Sequence, residues 1–182
     1  MTLLHDLVYI LAVVALVFVF LVRVVMVDGD SMVPTLQDQD RLVLLSNLWY
    51  TDPKPGDIVV ARIPEFSPKP IVKRVIAVEG DVVNIDFDVG TVSVNGEILH
   101  EDYIQEATLQ HFGELGVSFP VTIETGCVFL MGDNRNHSYD SRYASIGQVD
   151  TRCILGRVIY LMLPGRDKET HERDFDRIGQ LD

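Results

Sequence analysis

Cysteines and basic residues are both scarce in this sequence, and each shortage excludes a class of site or partner. The two cysteines, Cys127 and Cys153, form neither a C-x-x-C pair nor any other zinc-like spacing, so we expect no metal site. They are compatible with one disulfide or with two buried thiols. Lysine and arginine number 15 against 27 aspartates and glutamates, a formal net charge of −12. Because so acidic a chain repels phosphate backbones, we expect no nucleic-acid partner.

The first six residues lack lysine and arginine, yet a long apolar run follows them. Every residue from 7 to 22 is apolar, and the run resumes after Arg23. A helix over residues 7–27 would reach roughly 30 Å, the thickness of a bilayer core. A cleaved signal peptide would need a basic start and a small-residue cleavage site, and a buried soluble helix would need a polar face. We therefore predict a transmembrane anchor over 7–27, behind a short tail of residues 1–6.

After the anchor, short β-branched runs alternate with turns, and helical periodicity is almost absent. The turns are marked by PKPG at 53–56, by EGD at 79–81 and by Asn95-Gly96, a strong hairpin signal. This pattern predicts a mainly β domain with antiparallel connections over residues 28–165. The predicted strands cover residues 41–45, 57–63, 71–78, 81–86, 91–94, 127–131 and 156–163.

Two segments do not follow the strand pattern. Residues 100–125 are more polar and less regular, which predicts an insertion between strands. The charged tail, residues 166–182, has few large apolar residues and is typical of a frayed helix or a disordered end.

The stretch PIVKRVIAVEGD places a lysine inside an apolar strand. Strand alternation puts Lys73 on the same face as Ile71 and Val75, and Arg74 on the opposite face. Burial disfavours an ammonium ion and lowers the lysine pKa, and a neutral amine can act as a general base. A strand lysine more often reaches solvent or pairs with a carboxylate. Lys73 is therefore of interest only together with a nucleophile.

The stretch VDGDSMVPTL, residues 27–36, contains the candidate nucleophile Ser31. A serine in such a turn is usually a cap or turn residue, and it becomes a nucleophile only when a base takes its proton. A third stretch, GDNRNHSYDSR at 132–142, has hydroxyls and charged pairs suited to orienting a neutral amine. A plain loop with side-chain to backbone hydrogen bonds has the same composition.

In this order, the stretches resemble the type I signal peptidases of bacteria, which are membrane-bound serine proteases with a serine and lysine dyad. GDSMVPTL is similar to their nucleophile box, and the remaining boxes follow as GDIVV (56–60), KRVIAVEGD (73–81), GDNRNHSYDSR and the closing GRV (156–158). The resemblance implies an antiparallel β-sheet in a partly open barrel. It also implies an enzyme without cofactors that removes signal peptides from secreted preproteins.

Carried over residue by residue, the resemblance implies that Ser31 is the nucleophile and Lys73 its general base. Ser138 matches the serine that hydrogen-bonds the lysine amine and orients it. The residues that match those bracing the site are Arg74, Asp133, Asp140 and Arg142. The residues that match the walls of the substrate pockets, which accept small residues such as alanine at the first and third positions before the cut, are Val27, Met32, Leu36 and Val72.

Gly29 departs from part of that family. Members from Gram-negative bacteria have a serine at this place, two residues before the nucleophile, and its hydroxyl donates to the oxyanion. Many Gram-positive members have glycine there. The Ser31 backbone N–H is then expected to serve the oxyanion with a second donor that the sequence does not identify. Because losing one donor costs about 3 kcal/mol in proteases, we expect a replacement.

The resemblance further implies a single-pass protein of the cell membrane, held in the lipid bilayer with its domain on the outer side. By the positive-inside rule, Arg23 alone weakly favours the opposite orientation. Two other functions stay open. In one, His137 replaces the lysine in a triad with Ser31 and Asp140, although related peptidases place their histidine where Lys73 stands. In the other, the chain is a non-enzymatic anchored β-domain that binds extracytoplasmic peptides.

Overall fold

The computed structural model of the protein describes residues 2–167 and 170–181. Its first element is the helix α1 (Thr2–Leu21), which is followed directly by strand β1 (Val22–Met26). The predicted helix over 7–27 is therefore wrong for its last part, because β-branched residues there pair with a neighbouring strand instead. Within the described part of the chain, no helix reaches the length and apolarity that crossing a membrane requires.

All strand pairings of the domain are antiparallel, which confirms the prediction of a mainly β, antiparallel fold. After β1, the strands are β2 (Arg41–Ser46), β3 (Ile58–Ala61), β4 (Ile71–Val78), β5 (Val82–Asp86), β6 (Thr91–Val94), β7 (Glu97–Ile98), β8 (Val121–Thr122), β9 (Cys127–Met131), β10 (Val149–Asp150), β11 (Ile154–Leu163) and β12 (Gly179–Gln180). Short 3₁₀ helices cover Gly113–Leu115, Arg135–His137, Thr151–Cys153 and Phe175–Arg177.

The strands of residues 2–167 and 170–181 form two sheets. The larger sheet has eight strands in the order β1-β2-β11-β3-β4-β9-β10, with β12 added beside β11. The smaller sheet has the order β7-β6-β5-β8. Since β4 lies inside the larger sheet and continues through a short turn into β5, it carries side chains at the junction of the two sheets.

The hairpin predicted at Asn95-Gly96 is confirmed. Val94 pairs with Glu97 across it, and the turn residues have φ angles of 56° and 84°. Both values lie in the left-handed region, as the favoured two-residue hairpin turns require. The two-residue strands were not predicted from the sequence, because two residues are too few to establish a period.

The tail is ordered where the structure describes it, so a disordered end is wrong for residues 170–181. Strand β12 pairs with β11, and Arg177 binds the fully buried carboxylate of Asp40 at 2.7 Å. A buried carboxylate needs a cation or N–H donors, and this need fixes the tail against the sheet. The irregular insertion over 100–125 is likewise joined to the small sheet, through β8.

Cys127 and Cys153 are free thiols, so of the two alternatives the disulfide is wrong, and the thiols are half-buried where full burial was expected. Burial raises the pKa of both groups, which keeps them protonated at neutral pH. They lie at the edge of two neighbouring apolar clusters of the core.

Candidate active site

Ser31 lies in the loop between β1 and β2, and hydrogen bonds close the base of this loop. Val27 donates to the carbonyl of Asp40 at 2.9 Å, and the N–H of Gly29 donates to the Asp38 carboxylate at 2.8 Å. Gly29 has a φ of +99°, a conformation that other residues adopt only with strain. The glycine that departs from part of the resembled family is therefore required by the local backbone.

Lys73 lies in β4 and reaches the serine. Its Nζ is 2.6 Å from Ser31 Oγ and donates to the Val72 carbonyl at 2.9 Å. The lysine is 3% exposed, and this burial lowers its pKa to about 8, against the opposing charges of Asp140 and Asp133. The structure thus brings the two predicted catalytic residues together and gives the amine a lowered pKa.

Arg74, the next residue of β4, binds Asp133 as predicted. Its Nε and Nη2 donate to the two carboxylate oxygens at 2.9 and 2.7 Å, and Nη1 donates to the Gly56 carbonyl at 2.8 Å. Asp133 also accepts a hydrogen bond from Thr35, in the loop of the candidate nucleophile. This ion pair therefore joins β4, the loop after β9 and the Ser31 loop.

Asp140 forms a second buried ion pair, with Arg142, at 2.8 and 2.9 Å. Burial by itself would raise the pKa of Asp140, but the charge and hydrogen bonds of Arg142 lower it below its usual value. The Ser138 hydroxyl donates to Asp140 at 2.8 Å, and the predicted hydrogen bond between Ser138 and Lys73 is not formed. Ser138 is therefore linked to Lys73 through Asp140, whose charge acts on the lysine.

Asn134 is a residue of the site that sequence reasoning missed. Its backbone N–H donates to the Ser31 carbonyl and its side-chain amide donates to the Asp30 carbonyl, both at 3.0 Å. The loop after β9 therefore holds the main chain on which Ser31 stands. Within the described part of the chain, the Ser31 N–H has no protein acceptor, so it is available to an oxyanion.

A cleft of about 290 Å³ opens above Ser31 and Lys73. Of the predicted pocket walls, it is lined by Val27, Met32 and Val72. Leu36 does not line it, because this side chain is fully buried among the apolar residues beneath. Leu36 therefore supports the wall residues from below and does not face the cleft.

The cleft is also lined by Phe66, Tyr139 and His137. The rings of Phe66 and Tyr139 lie 6.4 Å apart and form an aromatic side that the sequence did not predict. His137 is exposed, and Asp140, its expected partner in a triad, is bound to Arg142. Among the described residues, no group of histidine, cysteine, aspartate and glutamate side chains is arranged to hold a metal ion.

Comparison with known proteins adds family relationships to this geometry. A model of the family described as signal peptidase, peptidase S26, matches residues 1–163. Signal peptidase I of Bacillus licheniformis is 34% identical over 157 residues, which cover 82% of this chain and 81% of that protein. Signal peptidase I P of Bacillus subtilis subsp. natto is 36% identical over 156 residues, with 79% and 80% covered. The crystal structure of a signal peptidase I from Enterococcus faecalis, 29% identical, is similar with a TM-score of 0.48 over 58% of this chain and 96% of that chain.

Proposed function

The chain belongs to the signal peptidase family, peptidase S26, and we propose that it removes signal peptides from secreted preproteins with Ser31 as nucleophile and Lys73 as general base. The single observation that supports this dyad most is the 2.6 Å between Lys73 Nζ and Ser31 Oγ at the floor of an open cleft. This distance is within the range for direct proton transfer between a nucleophile and its base.

The lysine acts as a base because burial weakens its hold on the proton. With a pKa of about 8, roughly a tenth of the molecules carry a neutral amine at pH 7. A solvent-exposed lysine would be neutral in a far smaller fraction. In other serine proteases the base is a histidine oriented by a carboxylate. Here the apolar surroundings of Lys73 lower its pKa, so that the lysine itself can be the base.

The reaction proceeds in two halves. Neutral Lys73 takes the proton of Ser31 as Oγ bonds to the scissile carbonyl carbon, and the Ser31 N–H stabilises the oxyanion. The C–N bond then breaks, and the lysine ammonium gives its proton to the leaving amine, which is the N-terminus of the mature protein. In the second half, Lys73 takes a proton from water as the water oxygen bonds to the carbonyl carbon of the ester. The bond between this carbon and Ser31 Oγ then breaks, the lysine ammonium gives its proton back to Oγ, and the signal peptide leaves with its new carboxyl terminus.

The substrate binds as an added strand beside β4. Strand β3 pairs with Ile71–Arg74 on one edge of β4, whereas the pairing of β9 on the other edge begins only at Arg74. Among the described residues, the start of β4 thus keeps one edge without a strand, next to the cleft. An extended cleavage region can form backbone hydrogen bonds there, and its small side chains point at the walls Val27, Met32 and Val72.

The membrane supplies the setting of this reaction. In our proposal the N-terminal apolar segment holds the enzyme in the bilayer as a single pass, with the catalytic domain on the outer side. Ser31 follows α1 and β1 in close succession, so the nucleophile stays near the surface where the cut site of an inserted signal peptide emerges. By the positive-inside rule Arg23 weakly favours the opposite orientation, but this rule is weak for long domains, so the position of the cut site decides the orientation in our proposal.

Purified full-length protein incubated with a preprotein that has an A-x-A site tests the proposal. We expect cleavage after the second alanine by the wild type and none by Ser31→Ala, as measured by gel analysis and N-terminal sequencing. Ser145→Ala, at an exposed serine outside the cleft, should cleave like the wild type. A wild type that leaves the preprotein uncut would favour the non-enzymatic binding domain.

The same assay separates the lysine from the histidine mechanism. We expect Lys73→Ala to lose activity and His137→Ala to retain it, since the Ser31 hydroxyl is hydrogen-bonded to Lys73 Nζ and not to His137. The reverse pattern would reject our assignment of the base. Replacing the alanine before the cut by phenylalanine should also prevent cleavage, because we propose that the pocket formed by Val27, Met32 and Val72 accepts small side chains only.

A further inference from the structure

The insertion over 100–125 contacts the catalytic loop through Glu101 and Tyr103. The Glu101 carboxylate accepts hydrogen bonds from Arg135 Nη1 and Nη2 at 2.8 and 2.5 Å. The side chains of Arg135 and Glu101 are only 0% and 6% exposed. The Tyr103 hydroxyl donates to the same carboxylate at 2.8 Å. Such a bidentate ion pair, which is almost completely buried from solvent, fixes the guanidinium in position and orientation.

The ring of Tyr103 extends this contact to a second arginine. The guanidinium carbon of Arg74 lies 4.0 Å from the ring centre, and that of Arg135 lies 5.9 Å from it. Both distances allow cation–π attraction. Burial raises the pKa of Tyr103 above its usual value, so the phenol stays neutral and keeps donating to Glu101.

The guanidinium groups of both arginines bind the first residues of the loop after β9. Arg135 Nε donates to the Gly132 carbonyl at 3.1 Å, and Arg74 binds the carboxylate of Asp133 through two hydrogen bonds. Glu101 and Tyr103 are thus linked through the two arginines to the first residues of this loop, although neither side chain is among those that line the cleft of Ser31.

The same loop holds the nucleophile. Asn134, directly after the two residues that the arginines bind, donates to the carbonyls of Ser31 and Asp30 at 3.0 Å each. A continuous chain of contacts therefore runs from the insertion, through the buried Arg135 and the half-buried Asn134, to the backbone of Ser31. The hydroxyl of Ser31 lies 2.6 Å from Lys73 Nζ.

We propose that Glu101 and Tyr103 are positioning residues for signal peptide cleavage, which set the loop over 132–134 and thereby the alignment of Ser31 with Lys73. The proposal rests on the proposed function. A shift of about 1 Å in a catalytic group can cost on the order of a hundredfold in rate. Without Glu101, the buried Arg135 guanidinium keeps its charge but loses its carboxylate, and the loop must move to hydrate it.

The test compares Glu101→Gln with Asp102→Asn in the full-length protein. Asp102 is the matched control, because the same charge is removed from the neighbouring residue, which is exposed and pairs with the exposed His100. We expect kcat of Glu101→Gln to fall by roughly ten- to a hundredfold with little change in KM. The low-pH limb of the pH profile should stay in place, since Lys73 keeps its burial. Asp102→Asn should resemble the wild type.

Variants of Tyr103 and a double variant sharpen the result. Tyr103→Phe keeps the ring against Arg74 but loses the hydroxyl, so it should lose less activity than Tyr103→Leu. Adding Glu101→Gln to Arg135→Gln should cause little further loss, because the two side chains act as one unit.

The folded fraction of each variant is measured by near-UV circular dichroism, and kcat is expressed per folded molecule. Equal values for Glu101→Gln and Asp102→Asn on this scale would overturn the inference and leave Glu101 with a structural role only. A change confined to KM would overturn it as well. Failure of the proposed function is distinguishable, because the wild type itself would then leave the preprotein uncut.

Discussion

Each face of strand β4 carries one buried cationic side chain, and the two side chains have different hydrogen-bond partners. Lys73 and Arg74 are consecutive and are 3% and 4% exposed. Arg74 ends on the Asp133 carboxylate at 2.7 Å, whereas the hydrogen-bond partners of Lys73 are the Ser31 hydroxyl and the Val72 carbonyl. Burial by itself therefore does not stabilise the charged form of either side chain. The arginine keeps its charge because its partner is a carboxylate, whereas the lysine holds its proton weakly because its hydrogen-bond partners are neutral.

Replacing Lys73 should produce the largest functional effect and no loss of stability. Lys73→Met keeps the length of the side chain but removes the amine, so we expect kcat/KM on a preprotein to fall by about four orders of magnitude or more. The free energy of unfolding at pH 7, measured in urea, should not decrease, because the group that burial penalises is gone. Substantial residual cleavage would show that Lys73 is not the base.

Replacing Arg74, on the other face of β4, by methionine should lower the stability of the protein. Arg74→Met leaves the carboxylate of Asp133 buried without a cation, and we expect the free energy of unfolding to fall by about 3–5 kcal/mol. Urea denaturation of both methionine variants under one set of conditions measures the difference. Equal midpoints would mean that the two faces do not differ as their contacts indicate.

The effect of Lys73 on pH dependence is seen in the activity of the wild type and in the difference in stability between Lys73→Met and the wild type. Its pKa of about 8 in the folded protein is below the usual value of 10.5, so the folded chain binds fewer protons between these pH values. The cost of burying the ammonium is fully present below pH 8 and is relieved as the pH rises toward 10.5. We expect kcat/KM to rise with pH through about 8. The stability advantage of Lys73→Met over the wild type should shrink from there upward, and a flat profile in either measurement would contradict a neutral-lysine base.

The ion pair of the tail should be worth less than that of Arg74. Arg177 is 17% exposed, and its partner Asp40 keeps hydrogen bonds from the N–H groups of Gln37 and Gly165. We expect Arg177→Met to lower the free energy of unfolding by about 2 kcal/mol. Arg152→Met, at a solvent-exposed pair with Asp150, is the control and should change little. A larger loss for Arg177 than for Arg74 would break the ranking by burial.

Much of the site could be predicted because its residues stand in short motifs with typical order. Ser31, Lys73 and the pairs Arg74–Asp133 and Asp140–Arg142 were all assigned from such motifs, and the structure brings each set together. Strands with several alternating residues, such as β4 and β9, were also placed at their bounds. Local pattern suffices here, since each strand or motif carries its own signal.

The errors share one cause, which is competition among partners distant in sequence. Leu36 packs into the core beside residues of other strands and not into the cleft. Glu101 lies in a segment without periodicity, so nothing local indicates that Arg135 binds it. Each outcome depends on which group of another segment comes nearest, and a linear sequence does not rank such groups.

The sequence by itself determined the chemical groups of this protein: a serine after an apolar segment, a lysine inside an apolar strand, and a loop rich in charged pairs. Only the tertiary structure decided the partner of each charge. It gave Arg74 a carboxylate and Lys73 a hydroxyl, and it joined the insertion to the nucleophile through Arg135 and Asn134. The physical reason is that pKa and orientation depend on burial and distance, which arise only when separate strands and loops pack together.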